Sequence, residues 1–219
     1  MNSPWSSLRK GIPWFSIGAA LLVIAPAAGA LAYTYQTAAL PFYESADFTP
    51  NWRGTSHTVG EFSLTTQTGA PITNRDLAGR VYVASFIYTR CSSLCPALVS
   101  SLKRVQSAVT SPNFMMTSFS VTPDLDTPPV LAAFGTDRGI DPSRWKLITG
   151  DKSQIYALAR DAYFATDERL RDSLEDPDAF LHTEKFVLVD QQGRLRGVYD
   201  GTLPREIDLL IADARALLR

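Results

Sequence analysis

Both cysteines of the chain, Cys91 and Cys95, stand four apart between an apolar run and a helical pattern, and that arrangement constrains the fold more than any other feature. The run at 81–88 is rich in β-branched and aromatic residues and follows Gly79 and Arg80, which predicts a buried strand. Pro96 has no backbone N–H to lose and suits a first helical turn. After it Leu98, Leu102, Val105 and Val109 recur at helical spacing on one face. The local reading is strand, cysteine loop, helix. Both sulfurs then lie near a helix N-terminus, where unpaired N–H groups and the dipole are expected to favour thiolate over thiol.

On one helical turn, residues four apart share a face, with Cβ atoms roughly 5–6 Å apart. Two thiolates at that spacing can grip one metal ion, and a small adjustment allows a disulfide. A thioredoxin-type redox motif has two intervening residues; this chain has three, which shifts the reading towards metal without excluding redox work. Two thiolates suit Cu(I), and an added nitrogen ligand lets a site hold Cu(II) as well. Structural zinc normally takes four protein ligands, and the chain has only two Cys and two His. A structural disulfide is the plain alternative, but it would close almost no loop and gain little.

The chain has 219 residues, room for one domain plus extensions. A net charge of −1 and the lack of any long basic run argue against a nucleic-acid partner. Arg9 and Lys10 precede an uncharged stretch at 11–43 whose apolar heart is 17–32, long enough to cross a bilayer, which takes about 20 residues. Positive charge before the span, with Glu44 and Asp47 the first charges after it, predicts an exported remainder. Tyr33, Tyr35, Phe42 and Tyr43 fit an interfacial belt and favour a retained anchor. Ala28-Gly29-Ala30 and Ala30-Leu31-Ala32 offer the rival reading, a cleaved signal.

Residues 38–59, with Pro41, Pro50 and Gly54, read as a linker, and His57 within them as a solvated residue with no role. Phe62-Ser63-Leu64, a turn at Thr68-Gly69-Ala70-Pro71, and Ile72 suggest a hairpin. A second β-like run spans 114–122, where Met115 and Met116 read as core residues rather than thioether ligands. Asp126-Thr127-Pro128 supplies capping chemistry for a helix to about Phe134. A short strand at 145–148 precedes a helix capped by Asp151 with Gln154, continuing through Ile155, Leu158, Ala159 and Ala162. The charged segment 167–178 reads as a solvated insertion. Phe186-Val187-Leu188-Val189-Asp190 and 195–199, joined through Gln192-Gly193, read as a hairpin. Thr202 and Pro204 open a final amphipathic helix through Ile207, Leu210, Ile211, Ala214, Leu217 and Leu218.

Alternating strands and helices, then a hairpin and a last helix, predict an α/β sheet covered on both faces, in the order of a thioredoxin-like domain. The cysteines fall at the carboxyl end of a central strand. In that arrangement the residue ahead of the penultimate hairpin strand faces the cysteine loop. Redox members usually have a cis-proline there; this chain has His182. Imidazole is a good copper ligand, so Cys91, Cys95 and His182 are the expected metal set.

Four segments in this order resemble the Sco/SenC family of thioredoxin-like copper proteins. They are Phe62-Ser63-Leu64 with Gly69, the run from Phe86 to Pro96 with both cysteines, Phe119-Ser120-Val121-Thr122-Pro123-Asp124-Leu125-Asp126-Thr127-Pro128, and His182 before its strand and Gly193. The resemblance implies a copper metallochaperone, not an enzyme in the turnover sense, that loads the dinuclear copper site of cytochrome c oxidase subunit II. It carries the family's ligands to Cys91, Cys95 and His182, with Cu(I) and also Cu(II) as cargo. Further implied partners are other copper chaperones and thiol reductants. The implied location is the inner (cytoplasmic) membrane, with the C-terminal domain on the exported, periplasmic side, or the mitochondrial inner membrane in a eukaryote. The expected organisation is a cytoplasmic N-terminus at 1–11, an anchor or uncleaved signal at 12–36, a linker at 37–59 and a thioredoxin-like copper-binding domain at 60–219. Departures from the family pattern are Thr122 in place of an acidic residue, Leu125 in place of a basic one and Ser92 in place of proline. The competing reading is a membrane-tethered thiol–disulfide oxidoreductase in which Cys91 attacks and Cys95 resolves. A peroxidase-like enzyme using Arg90 ranks below both.

Overall fold

A computed structural model of the chain describes residues 40–91, 94–165 and 183–219. The expected anchor at 12–36, the charged segment at 167–178 and His182 lie outside the described residues. Among the described residues no helix is long and apolar enough to cross a membrane.

The first hairpin forms as expected, with β1 (Ser63–Thr66) and β2 (Pro71–Thr73) paired so that Leu64 faces Ile72. One helical turn, α1 (Asn74–Leu77), follows, closed by a reciprocal box between Thr73 and Asp76. Then come β3 (Val81–Ile87), α2 (Cys95–Ala108), β4 (Phe114–Ser120), α3 (Pro128–Asp137), β5 (Trp145–Thr149), α4 (Lys152–Ala157), β6 (Lys185–Val189), β7 (Leu195–Asp200) and α5 (Pro204–Leu217). The sheet order is β2-β1-β5-β4-β3-β6-β7. β3, β4 and β5 run parallel, and the remaining pairs are antiparallel.

Alternation along β3 explains why the strand is apolar throughout. Val81 and Val83 point to one core with Leu98 and Leu102 of α2, Leu131 and Phe134 of α3, and Ile207 and Leu210 of α5. Tyr82, Ala84 and Phe86 point to the other, with Phe119, Ile148, Ile155, Leu158 and Tyr163. A strand buried on both faces needs a continuous apolar run rather than an alternating one. Met115 and Met116 divide between the same two cores, as their reading as core residues requires. The few polar side chains in this layer are partnered: Ser85 and Ser118 hydroxyls lie 2.7 Å apart, and the Trp145 indole N–H donates to Ser118 Oγ at 2.8 Å.

Four details differ from the sequence expectations. The compact unit begins at Leu40, not at residue 60. Residues 40–59 have little regular structure, but they are not a linker. Phe42 exchanges two backbone hydrogen bonds with Asn51, Tyr43 N–H donates to Leu195 O, and Arg196 donates to the carbonyls of Leu40 and Pro41. His57 is not simply solvated either: it stacks on Phe164 and sits 2.9 Å from Ala162 O. Thr202 does not cap α5, since its hydroxyl donates to Asp200 and the cap falls at Leu203. The helix capped by Asp151 keeps its cap, Gln154 N–H to Asp151 Oδ1 at 2.7 Å, but widens into a π-helical turn at Leu158–Ala162.

Candidate metal centre

Three pieces of backbone meet at the carboxyl end of β3 and β4. The cysteine loop leaves β3 there. The 121–127 turn leaves β4 beside it, tied by Val121 N–H to Ile87 O at 2.9 Å. β6 runs antiparallel to β3, with Ala84 opposite Val187 and Tyr82 opposite Val189, so the chain enters β6 at that same end. Open α/β sheets bind ligands at this edge.

The cysteine loop opens with a tight turn in which Cys91 N–H donates to Tyr88 O at 3.2 Å. Cys95 is the first residue of α2, with Pro96 behind it where no amide hydrogen is needed. Its own N–H, unpaired within the helix, points at Cys91 Sγ 3.4 Å away. The Cys91 sulfur thus serves as the acceptor that a capping side chain would otherwise supply. Leu94, the N-cap residue, makes no side-chain capping bond of its own. Both residues are thiols, half-buried and not joined by a disulfide.

The expectation that both sulfurs favour thiolate fails at Cys95, whose thiol is pushed up to about 11, chiefly by burial. A bond from the backbone near Tyr88 and the charge of Arg138 act the other way, and burial outweighs them. Half-burial at the start of α2 thus outweighs the pull of the helix end towards thiolate. Arg138, which packs its guanidinium over the Phe134 ring at 3.8 Å, is a group that sequence reasoning missed. It lies some forty positions along the chain, and only the packing of α3 beside α2 brings it near.

A second omission is a polar cluster behind the loop. Asp126, fully buried, accepts from Thr89 Oγ1 at 2.5 Å, Ser120 Oγ at 2.6 Å and Thr122 Oγ1 at 3.1 Å. The Asp-Thr-Pro signature reads as a helix cap, but Thr127 takes the N-cap position without a side-chain bond and Asp126 turns inward. Nothing in spacing alone distinguishes those two uses. Thr122 supplies a hydroxyl donor to this cluster.

The donor set fits a soft metal ion: two half-buried sulfurs side by side, with no competing carboxylate cluster among the described residues. Among the described residues no group of three or more His, Cys, Asp and Glu side chains comes together as a metal site. His182, the expected third ligand, lies outside the described residues. Arg90 is exposed.

A thioredoxin-like sheet with a paired-thiol loop at the end of its central strand defines the class. The SCO1/SenC family profile matches residues 51–219, and the chain belongs to that family. It is 27% identical over 164 residues to the SCO1 protein homolog of Bacillus subtilis, a match covering 74% of this chain and 83% of that one. A SCO1/SenC family lipoprotein from Bacillus anthracis has a similar structure, with a TM-score of 0.65 and 28% identity over 77% of this chain and 99% of that one. BsSco, described as a member of the Sco family of cytochrome c oxidase assembly proteins with a disulfide switch, follows at 0.63 and 26%, covering 74% and 93%. Copper-bound ScoI of Bradyrhizobium japonicum shares the fold, with a TM-score of 0.57 and 22% identity over 74% of this chain and 99% of that one.

Proposed function

We propose that this protein is a membrane-anchored copper metallochaperone. It holds one copper ion through Cys91, Cys95 and His182 and hands it to the dinuclear copper site of cytochrome c oxidase subunit II. The observation that carries the reading is the thiol pair: Cys91 Sγ at the N–H of Cys95, both side chains half-buried at the edge where the chain enters β6. The described chain resumes at Thr183, just ahead of β6 at that edge, and this supports His182 as the nitrogen ligand. Copper as cargo is supported by the copper-bound relative, and the oxidase as client by the description of BsSco. The N-terminal charge pattern supports a single span with the domain on the exported side.

Copper in this role is cargo, and the chain's own chemistry concerns its release. Two thiolates and an imidazole leave Cu(I) three-coordinate, open to an incoming sulfur of the client, so ligands can exchange one at a time. Leu94 and Leu125, exposed on the cysteine loop and the adjoining turn, give a client an apolar surface beside the metal. The test is transfer: the full chain loaded with Cu(I) is mixed anaerobically with reduced apo subunit II copper domain, and copper is followed by separating the two. Copper moving to the client supports the reading; copper retained against excess client sinks delivery.

The thiol–disulfide reading stands as the second, because BsSco is described as having a disulfide switch and the four-residue spacing here permits a bridge. His182→Ala separates the two. It should weaken copper binding and leave disulfide exchange with an oxidised client intact.

A further inference from the structure

The hydroxyl cluster around Asp126 extends into the cysteine loop through one residue. Asp126 has no solvent exposure, and among the described residues no Lys or Arg pairs with it. A carboxylate removed from water is costly unless its lone pairs are satisfied. Here three hydroxyls do so. Two of them, Ser120 at the end of β4 and Thr122 in the turn that follows, come from the same stretch of chain as Asp126, whose N–H also donates to Thr122 O at 2.9 Å. The third, Thr89, comes from the other side of the site. It lies in the turn closed by Cys91 N–H to Tyr88 O, two residues ahead of Cys91.

We infer that Thr89 and Asp126 are positioning residues for the thiol pair, holding the cysteine loop in its metal-ready geometry through their 2.5 Å hydrogen bond. This deepens the copper reading and rests on it. The chain of contacts is continuous. The carboxylate fixes the Thr89 hydroxyl, Thr89 fixes the turn, the turn aims Cys91 Sγ, and Cys91 Sγ receives the N–H that opens α2. Without the tie the loop is free to sample other arrangements, and metal binding must then order it, which weakens affinity. Thr122 fits the same scheme. Its hydroxyl donates to Asp126, where a carboxylate at that position would set two acceptors side by side.

The experiment compares the full chain with Thr89→Val and Thr89→Ser, reduced and anaerobic, by Cu(I) titration against a colorimetric chelator and by amide hydrogen exchange of the metal-free forms. Thr89→Val keeps the shape and loses the donor. It should bind Cu(I) about tenfold or more weakly, the scale of a lost hydrogen bond to a charged group. Exchange should quicken in peptides spanning 88–98 and stay unchanged in β4 and α5. Thr89→Ser should restore both readings. Wild-type affinity and exchange in Thr89→Val would overturn the inference. So would failure of serine to rescue, because packing of the methyl group would then be the cause. Should the unmodified chain bind no copper, the copper reading falls, and the exchange comparison still decides whether Thr89 positions the loop.

Discussion

Burial sets the chemistry of Cys95. With its thiol pushed up to about 11, Cys95 is protonated across the neutral range, so copper must displace that proton in order to bind. Alkylation of the metal-free reduced chain by iodoacetamide, read by mass spectrometry, should therefore be slow at Cys95 near pH 7. Its rate should rise about tenfold per pH unit up to that value. A rate already level by pH 8 would contradict it. Asp213 is a second half-buried acid, raised above its ordinary 3.8 mainly by burial, with the Tyr199 hydroxyl donating to it at 2.7 Å and pulling the other way. A carboxyl with a raised folded-state pKa contributes its full stability below the unfolded value and loses it as pH rises through the folded one. Asp213→Asn should accordingly raise the urea midpoint at pH 7, and the gain should shrink to nothing below about pH 4. A gain that persists in acid would contradict that assignment. Neither shift is legible in the sequence, because both depend on how far a side chain is turned inward from the end or face of its helix.

At the scale of elements, the strand–loop–helix unit around the cysteines is legible because three independent signals agree there: the apolar run, Pro96 at the first turn and the spacing of Leu98, Leu102 and Val105, all buried. Helix caps are less legible. Asp151 behaves as its spacing with Gln154 predicts, whereas Asp126 and Thr202, with equally suitable side chains, bond elsewhere. A short polar side chain near a helix start has several backbone and side-chain partners within reach, and the tertiary neighbours choose among them. Gly201 shows another constraint that only packing reveals. A Cβ there would stand 2.5 Å from Phe186 Cζ and 2.7 Å from Leu98 Cδ2, so the end of β7 passes directly over the first turn of α2. Gly201→Ala should destabilise the domain by about 1–3 kcal/mol through overpacking, measured by urea unfolding. Because the shift falls on Leu98, it should also weaken Cu(I) binding. An unchanged unfolding midpoint would mean that the contact relaxes without cost.

For the molecule as a whole, the α/β class and the order of its elements follow from the alternation of strand and helix patterns. The boundary at residue 60 did not, because residues 40–59 carry no period. Their attachment depends instead on single side chains far along the chain. Arg196, nearly buried on β7, pairs with Asp190 Oδ2 at 3.1 Å, lies 4.1 Å from the centre of the Phe42 ring and donates to two carbonyls of the arm. Removing one partner of such a buried pair costs about 3–5 kcal/mol. Arg196→Ala should therefore lower the thermal midpoint, and a chain beginning at residue 60 should melt lower than one beginning at residue 40. Equal melting of those two would return the arm to the status of a linker.

The central claim is that Cys91, Cys95 and His182 hold one copper ion. The direct measurement is anaerobic titration of the reduced full chain, in mild detergent, with Cu(I) against a competing chelator, alongside His182→Ala and the double change Cys91→Ser with Cys95→Ser. The account predicts one tightly held copper per chain, weakened by His182→Ala and abolished by the double serine change. A chain that cannot compete for copper while its cysteines exchange readily with a disulfide substrate would contradict it and leave the oxidoreductase reading in its place.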